Sequence, residues 1–563
     1  NHRGHVMFMH NDDVDVRYAA FDDLGRTDKS KPAFLIERLD PSTIEADTNI
    51  QGRYSFHLHR TGTEDQDNPA IAFGNTVSGS PGWGYVHHDS NAEFVQNIAF
   101  DVFGAAFVAE TGNETGLWWE NMAIKSEGIG YGHAKTKSSE GVERDDVGRT
   151  GDGFFFAGRA VETGHNIAAN TTHGYVWMTR AADLVPYTDQ LDHPDAYYGR
   201  ETARGTSQTP IQGFHDNEAF GTQVGMIVVK NIGWQGHDVR TVMDGFTNWE
   251  TSNGVEMTYT GHYTFKDFDL LGTTNTSTIA GAKIGFDFSQ MSFDLVVNGI
   301  TVEGFQTAID FNQRERDDWS ADDVSHVVID AELINNQIDY EGLDPSKHTI
   351  MTSEELVEGR LAFVLDSDTT IGMWEDLYLN GMKIDSIGEH DRQFADDTHV
   401  LKFKKNIIPM LERDGYFETE DGDYVMLIKD YIADRATGDL LKMVHVVTLD
   451  IPVSELSLRG ITNNGLINLD SLAPVTQDDF VSTPMEAPIV IDVLANDMDP
   501  EGGELHIDGF TNPFHGDLSL QEDGTLLFAP HENKVGVESF DYWVSDGDGV
   551  LSRGTVFIDI YDA

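Results

Sequence analysis

The chain has 563 residues, 39% of them hydrophobic, which is enough to bury the cores of two or three domains and excludes a wholly disordered protein. Its 96 acidic and 37 basic residues give a formal net charge of −59, which excludes nucleic acid and anionic membranes as partners. The absence of cysteine excludes disulfides and thiolate chemistry, and no apolar run is long enough to predict a membrane span. Two interpretations of the charge stay open: adaptation to a salt-rich or calcium-rich medium, and a plain solubility device. Because the chain starts inside patterned sequence, we also expect a processed or truncated N-terminus.

Short apolar runs punctuated by Gly, Asn and Asp predict β-strands rather than helices. The clearest repeat lies in the first quarter of the chain, where similar strands recur at 55–59, 84–88 and 106–110. Between them recur runs that end in an asparagine, at Asn75, Asn97 and Asn121, which are 22 and 24 residues apart. This period predicts a right-handed parallel β-helix whose stacked asparagines form a hydrogen-bonded ladder. A β-sandwich is the alternative.

Changes in strand length and in the spacing of turn residues divide the chain into three predicted units. Residues 1–340 carry the β-helix pattern, and residues 341–471, with longer strands and hairpin signals, predict a β-rich domain of unknown role. Residues 472–563 predict a small β-sandwich and resemble the cadherin-like, immunoglobulin-type repeats of secreted bacterial proteins. Four acids of this last unit are predicted calcium ligands, with plain turn capping as the alternative: Asp497, Asp499, Asp546 and Asp548.

Histidines are dense near the N-terminus, and strand alternation predicts where they point. If Phe56 and Leu58 face the interior of the coil, His57 and His59 face outward. Aligning the repeats by their inward residues predicts one outward column: His10, His59, His87 and Glu110. Neighbouring coils lie roughly 4.8 Å apart, so adjacent members of the column can share a metal ion or act as an acid/base pair. The alternative is a set of surface histidines with no function.

The N-terminal part of the sequence resembles a known family. Residues 52–59, His87, 97–104 and 107–114 are similar to the cell-migration-inducing and transmembrane hyaluronidase family, with its Gly-Arg-Tyr-Pro-x-His-x-His signature. The resemblance covers residues 4–130 and implies a parallel β-helix and calcium-dependent depolymerisation of hyaluronan. This sequence departs from the family pattern at three places, so the resemblance predicts the fold but not the identity of the substrate. Ser55 replaces the signature proline, His88 and Asp89 replace small residues, and Thr111 replaces an aspartate.

The resemblance and the column together give the predicted site. The predicted catalytic residues are His59, His87, Asp101, Glu110 and Glu114. The predicted substrate-binding residues are Arg53, Arg60 and Lys125, because a polyanion needs local cations on so acidic a chain. The predicted metal ligands are His10, His57, His59, His87 and Glu110, for calcium or for zinc, manganese or copper.

Two functions from different classes follow from these predictions. The first is a secreted or cell-surface bacterial enzyme that cleaves an acidic polysaccharide, by hydrolysis with a carboxylic acid as proton donor or by β-elimination with a histidine or arginine as base. The second is a non-catalytic, calcium-binding surface adhesin or structural stalk, attached to the cell surface through its C-terminal module.

Overall fold

The structure is a computed structural model. Apart from positions 12, 32 and 290, it describes residues 3–34, 48–62, 68–129, 147–178, 210–229, 240–273, 281–312 and 326–353. It also describes 184–185, 204–205, short stretches of 370–467 and most of 474–561.

Within these residues, the first part of the chain consists of short strands joined by turns. In chain order they are β1 (Met7–Met9), β2 (Asp15–Arg17), β3 (Ala20–Asp22), β4 (Phe56–Gly62), β5 (Ala70–Phe73), β6 (Thr76–Ser78), β7 (Tyr85–Val95), β8 (Ile98–Phe103), β9 (Phe107–Ala109), β10 (Thr115–Trp119), β11 (Met122–Glu127), β12 (Asp152–Phe156), β13 (Ala160–Gly164), β14 (Ile167–Ala169), β15 (His173–Met178), β16 (Leu184–Val185), β17 (Arg204–Gly205), β18 (Phe214–Phe220), β19 (Val224–Val229), β20 (Thr241–Thr251), β21 (Asn253–Thr258), β22 (Gly261–Gly272), β23 (Ile284–Asp287), β24 (Phe293–Glu303), β25 (Thr307–Asp310), β26 (His326–Ile334), β27 (Ile338–Glu341) and β28 (His348–Met351).

All of these strands except the β16–β17 hairpin join one 26-stranded sheet, in which each strand pairs in parallel with strands of the neighbouring coils. The first wall of the resulting helix contains β1, β4, the start of β7, β9, β12 and β15. The second wall contains β2, β5, the end of β7, β10 and β13. The third contains β3, β6, β8, β11 and β14, and β18 then joins the last two walls in one strand. This pairing confirms the predicted parallel β-helix.

Large aromatic side chains fill the interior of the coils. Because alternate residues of a strand face the same side, the first wall contributes one inward ring at the same position of each successive coil. Their ring centroids lie 5.3, 4.8, 5.0 and 4.9 Å apart in the stack Phe56, Tyr85, Phe107, Phe154 and Tyr175. Each such contact adds about 0.5–1.5 kcal/mol beyond the burial of apolar area.

The asparagine ladder is confirmed at all three predicted positions. Asn75 Nδ2 donates to Asn97 Oδ1 at 3.1 Å, and Asn97 Nδ2 donates to Asn121 Oδ1 at 3.0 Å. Asn166 and Asn217 extend the ladder by two further coils with Nδ2–Oδ1 distances of 3.0 and 3.1 Å. The sequence period misses these two because they follow after 45 and 51 residues, where long insertions lengthen the coils.

A second layer of side chains covers the outer face of the first wall. Val86, Val108 and Phe155 point outward yet are buried beneath the loop residues Tyr54 and Trp83, whose rings stack at 4.6 Å. Lys29 is buried in the same layer: its Nζ lies 3.7 Å from the Trp83 ring centroid and donates to Val147 O at 3.1 Å. This layer borders the outward-facing histidines of the first wall on one side.

The predicted boundary after residue 340 falls inside β27, and parallel pairing continues through β28. The middle segment that follows contains β29 (Thr370–Ile371), β30 (Leu377–Leu379), β31 (Met382–Ile384), β32 (Arg392–Gln393), β33 (His399–Leu401), β34 (Tyr416–Thr419), β35 (Tyr424–Asp434), β36 (Leu440–Thr448), α1 (Val453–Leu458) and β37 (Asn463–Ile467). Its longest strands, β35 and β36, form an antiparallel pair.

The C-terminal unit is a two-sheet sandwich. Its strands are β38 (Asp479–Pro484), β39 (Ile489–Ile491), β40 (His506–Phe510), β41 (Gly516–Leu520), β42 (Leu526–Pro530), β43 (Gly536–Ser545) and β44 (Leu551–Tyr561). One sheet has the order β38-β44-β43-β40 and the other β39-β42-β41, around a core of its own that includes Val493, Phe528 and Tyr542. Among the described residues, no helix has the length and apolar character needed to cross a membrane.

Candidate active site

Histidines from two neighbouring coils converge at the outer face of the first wall. In the pairing of β4 with β7, Leu58 lies opposite His87, and His59 lies opposite His88. In the pairing of β7 with β9, His87 lies opposite Ala109, so that His88 comes next to Glu110. The outward column therefore consists of His59, His88 and Glu110.

The predicted placement of His87 in this column is wrong by one residue. His87 is fully buried in the interior, where its Nε2 lies 2.6 Å from Ser90 O and its ring contacts those of Phe94 and Trp118 at 5.5 and 6.2 Å. The alignment fails because Tyr85, and not the apolar Val86, carries the inward alternation of β7. Val86 points outward and is buried by the second layer, which the sequence pattern does not reveal.

The cluster is compact. His88 Nδ1 lies 3.1 Å from Glu110 Oε2, and its Nε2 lies 3.3 Å from Asp89 Oδ2. His57 Nε2 lies 3.9 Å from the same Glu110 oxygen, and the ring centroids of His59 and His88 are 4.4 Å apart. One ring nitrogen from each of His57, His59 and His88 lies within 4.8 Å of the others, so that, within the part of the chain that the structure describes, these three form a group that could hold a metal ion.

The ionisable groups of the cluster have strongly different pKa values. Burial lowers the pKa of His57 to about 4, against the opposing attraction of Glu110, and burial beside His88 also lowers the pKa of His59. Burial alone would lower the pKa of His88, but Glu110 and Asp89 outweigh it and raise that pKa to about 10. Despite burial, His88 holds the pKa of Asp89 at about 2 and that of Glu110 well below its usual range. At neutral pH the metal-free site thus has one imidazolium between two carboxylates, beside two neutral imidazoles.

Glu114, predicted to be catalytic, is fully buried and binds backbone. Its carboxylate accepts N–H bonds from Thr111 and Gly112, both at 2.7 Å, and from Asp89 at 3.3 Å. Burial raises its pKa against these hydrogen bonds. Glu114 therefore fixes the turn after Glu110 to the turn after His88.

The remaining predicted residues of the β-helix lie at different distances from the cluster. Arg60 joins it, because its Nε lies 3.2 Å from Asp89 Oδ2. His10 is exposed, with its ring centroid 6.4 Å from that of His59, and its ring is not one of the three that converge. Asp101 and Lys125 form an ion pair of 2.7 Å between Lys125 Nζ and Asp101 Oδ1, but in β8 and β11 on the third wall.

Arg53 lies in the loop before β4, where the backbone N–H of Arg26 donates to its carbonyl oxygen at 2.7 Å. Burial lowers the pKa of Arg53, and so, to a smaller extent, does the charge of Arg26. Arg53 is also the residue after Gly52, whose carbonyl oxygen lies 2.9 Å from His57 Nδ1. The Arg53 backbone is thus linked to the cluster through Gly52.

His88 is the member of the site that the sequence pattern does not predict. A signal was present in the dipeptide His87-His88, since either residue can occupy the outward position when the register is moved by one. Aligning the aromatic residues Phe56, Tyr85 and Phe107 instead of the apolar residues nearest the histidines would have selected His88.

In the C-terminal unit, Asp497 accepts a hydrogen bond from the Tyr542 hydroxyl, with 3.0 Å between Oδ2 and the phenol oxygen. Burial, Asp497 and Asp479 all raise the pKa of Tyr542, so acidic groups do gather there. Asp499, two residues after Asp497, is buried. Asp548 lies outside the described residues. Calcium binding by Asp497, Asp499, Asp546 and Asp548 stays a prediction.

The fold and the cluster define a class: a parallel β-helix protein with a histidine–carboxylate centre on one wall, followed by further β domains. Residues 470–559 match a family model described as a bacterial Ig domain, in agreement with the predicted immunoglobulin-type sandwich. No curated protein matches the chain significantly, so the hyaluronidase-like resemblance stays a prediction.

Among solved structures, the chain is similar to an endo-fucoidan hydrolase, MfFcnA9, from glycoside hydrolase family 107. The match has 16% identity and a TM-score of 0.13, and it covers 24% of this chain and 22% of that one. So small a likeness supports no conclusion about activity.

Proposed function

We propose that this protein is a secreted enzyme that degrades an acidic, hyaluronan-like uronate polysaccharide, with the His57, His59, His88, Asp89 and Glu110 cluster as its active site. The observation that carries the proposal is the convergence of these side chains on one outer wall, where His88 Nδ1 lies 3.1 Å and His57 Nε2 lies 3.9 Å from Glu110 Oε2. Burial and ion pairing in this cluster push the pKa values of its members apart. Neighbouring groups whose pKa values are pushed apart provide a proton donor and a proton acceptor in the same place, as acid/base catalysis requires.

We assign roles to these groups from their contacts and pKa values. His88, the proton-bearing member, is the candidate general acid toward the glycosidic oxygen. Glu110 is ionised well below neutral pH and suits the role of base or charge stabiliser better than that of the proton donor. In hydrolysis Glu110 activates water; in β-elimination His59, half-buried and neutral, removes the proton next to the uronate carboxyl group.

The local charge supports an anionic substrate. Although the chain carries a net charge of −59, Arg60 lies at the edge of the cluster with more than half of its side chain exposed. Arg53 directly follows Gly52, whose carbonyl oxygen lies 2.9 Å from His57 Nδ1. Guanidinium groups bind carboxylates in a bidentate manner, which gives both attraction and orientation. We infer that these arginines bind the carboxylates of the polymer on either side of the scissile bond.

The C-terminal module supports an extracellular setting. Because residues 470–559 match a bacterial Ig domain, we infer a bacterial protein that works outside the cell, with this module as spacer or attachment to the cell surface. Calcium held by Asp497, Asp499 and Asp546 would stiffen that module through oxygen ligands.

The test is incubation of the full chain with hyaluronan, chondroitin, alginate and pectin, following viscosity, reducing ends and ultraviolet absorbance of unsaturated products. We expect at least one polymer to be shortened, and absorbance together with new ends would identify elimination. His59→Ala and Glu110→Gln should abolish cleavage, whereas His165→Ala, an exposed histidine on the second wall, should not. Intact polymers throughout the panel, with calcium and with transition metals supplied, would contradict the proposal.

The bacterial Ig domain also favours a second candidate, a non-catalytic adhesin. This function predicts retention of a polysaccharide on the protein without any shortening of its chains, and retention that His59→Ala and Glu110→Gln leave unchanged. The same panel therefore separates the two candidates.

A further inference from the structure

We propose that His57, His59, His88 and Glu110 form a transition-metal centre. Three ring nitrogens lie within 4.8 Å of one another, and Glu110 Oε2 lies 3.1 Å from His88 Nδ1 and 3.9 Å from His57 Nε2. Ligands bound to one ion at about 2.0–2.1 Å lie up to about 4 Å apart, so the cluster needs to contract by only about 1 Å.

Two ring nitrogens of the cluster lack the partner that burial demands. His57 has 1% of its surface exposed, and neither its Nε2 nor the buried Nδ1 of His59 has a hydrogen-bond partner. A buried polar atom without a partner costs about 1–3 kcal/mol. An ion bound between the histidines would accept lone pairs that these two rings otherwise leave unused.

The other ring nitrogens are already held in the manner of metal-binding histidines. His57 Nδ1 lies 2.9 Å from Gly52 O, so Nδ1 carries the proton and the lone pair of Nε2 points into the cluster. His88 Nε2 lies 3.3 Å from Asp89 Oδ2, which leaves His88 Nδ1 for an ion between it and Glu110. Metal-ligating histidines almost always donate their second N–H to a carboxylate or a backbone carbonyl, which fixes the tautomer and the direction of the ring.

The donor set selects the class of metal. Three imidazoles and one carboxylate suit zinc, manganese, copper or iron, whereas calcium takes six to eight oxygen ligands and does not fit this cluster. The calcium expected from the resemblance thus has no place at the histidines. Because His59 and His88 are partly exposed, an ion held by them would be accessible to a substrate oxygen from the solvent side.

The catalytic meaning of this centre rests on the proposed function, and with an ion bound the ligands His59, His88 and Glu110 would no longer transfer protons themselves, so the acid and base roles given above belong to the metal-free site. Metal binding itself is measured without substrate. Full-length protein, stripped with a chelator, is titrated calorimetrically with zinc, manganese and copper in turn, and the metal content of protein as purified is determined by mass spectrometry. We expect stoichiometric binding of at least one of these ions and a 10- to 100-fold weaker affinity in Asp89→Asn, which removes a supporting carboxylate.

His59→Ala and His88→Ala should reduce the affinity further, and His165→Ala should match the wild type. His59 lies at the half-exposed edge, so His59→Ala keeps the test valid if His57 variants fail to fold; thermal unfolding of each variant verifies this. Absence of binding in the stripped wild type, or wild-type affinity in both His59→Ala and His88→Ala, would overturn the centre. Metal binding without cleavage of any polymer contradicts only the proposed function. Cleavage by fully stripped protein that still binds metal on titration contradicts only a catalytic role for the ion.

Discussion

The asparagine ladder and the histidine cluster are both columns of polar side chains that repeat from coil to coil, yet they differ in how their hydrogen bonds are met. In the ladder, Asn121 gives its amide N–H groups to Phe94 O and Asn166 Oδ1, and its Oδ1 accepts from the backbone and the side chain of Asn97. In the cluster, two buried ring nitrogens of His57 and His59 remain without a partner.

The difference separates a structural column from a functional one. Identical side chains stacked in register satisfy one another and leave nothing for a ligand, because each amide is both donor and acceptor. Different side chains on a wall, with opposite charges and free lone pairs, retain binding capacity at a cost in stability. Variants should therefore damage the fold in the ladder and the chemistry in the cluster.

The largest expected loss of stability is in the ladder. Asn121→Ala removes four hydrogen bonds and leaves buried groups of Asn97, Phe94 and Asn166 unmet, so the free energy of unfolding should fall by about 3–5 kcal/mol. Urea unfolding measures this, and the exposed Asn312→Ala is the matched control. Metal bound per folded molecule should stay unchanged; a change there would show that the two columns are coupled.

His87 and His88 sharpen the comparison because they are neighbours in sequence with opposite surroundings. His87→Ala opens a cavity in the interior beside Phe94 and Trp118 and should cost about 2–4 kcal/mol in unfolding free energy while metal affinity is retained. His88→Ala should abolish the metal site at a smaller cost in stability. Thermal unfolding and metal titration of both variants check this, and the reverse pattern would restore the predicted register with His87 outward.

This pair also shows how far the sequence predicts the molecule. Repeated strands and the asparagine period were sufficient for the β-helix, since both follow from local patterning. His59 and Glu110 were placed correctly on the outer face, but His88 was not. Its register depends on whether Val86 is an interior residue or an outer residue covered by Tyr54 and Trp83. That contact depends on how the loops fold back over the wall, which the strand pattern does not predict.

Tertiary contacts also decide the charge states of the carboxylates, which the sequence pattern does not predict. The sequence groups Glu110 and Glu114 as similar carboxylates, but Glu110 faces an imidazolium while Glu114 faces three backbone N–H groups. The pKa of one is lowered and that of the other is raised for this reason. This difference in pKa depends on how the turns fold back onto the wall, which the sequence repeat does not predict.

A smaller effect should appear in the pH dependence of the metal-free protein. The pKa of His88 is about 10 in the folded state and about 6.5 when unfolded, so its ion pairs stabilise the fold fully below about pH 6.5 and lose this effect as the pH rises toward 10. The difference in unfolding free energy between the wild type and His88→Gln should shrink steadily over that range. Urea unfolding at several pH values in the presence of a chelator measures it, and a constant difference would show that His88 is neutral.

The smallest expected effect concerns Asp101, a predicted catalytic residue that the fold places on the third wall. Its ion pair with Lys125 is about half exposed on both sides, and exposed pairs contribute little to stability. Asp101→Asn keeps a side chain that tolerates the left-handed backbone at φ 55° and removes only the charge. We therefore expect no measurable change in melting temperature, metal affinity or polymer cleavage, with Lys125→Gln as the matched partner variant. A tenfold or greater loss of cleavage in Asp101→Asn alone would mean that the polymer crosses from the first wall to the third, and that the active site extends beyond the histidine cluster.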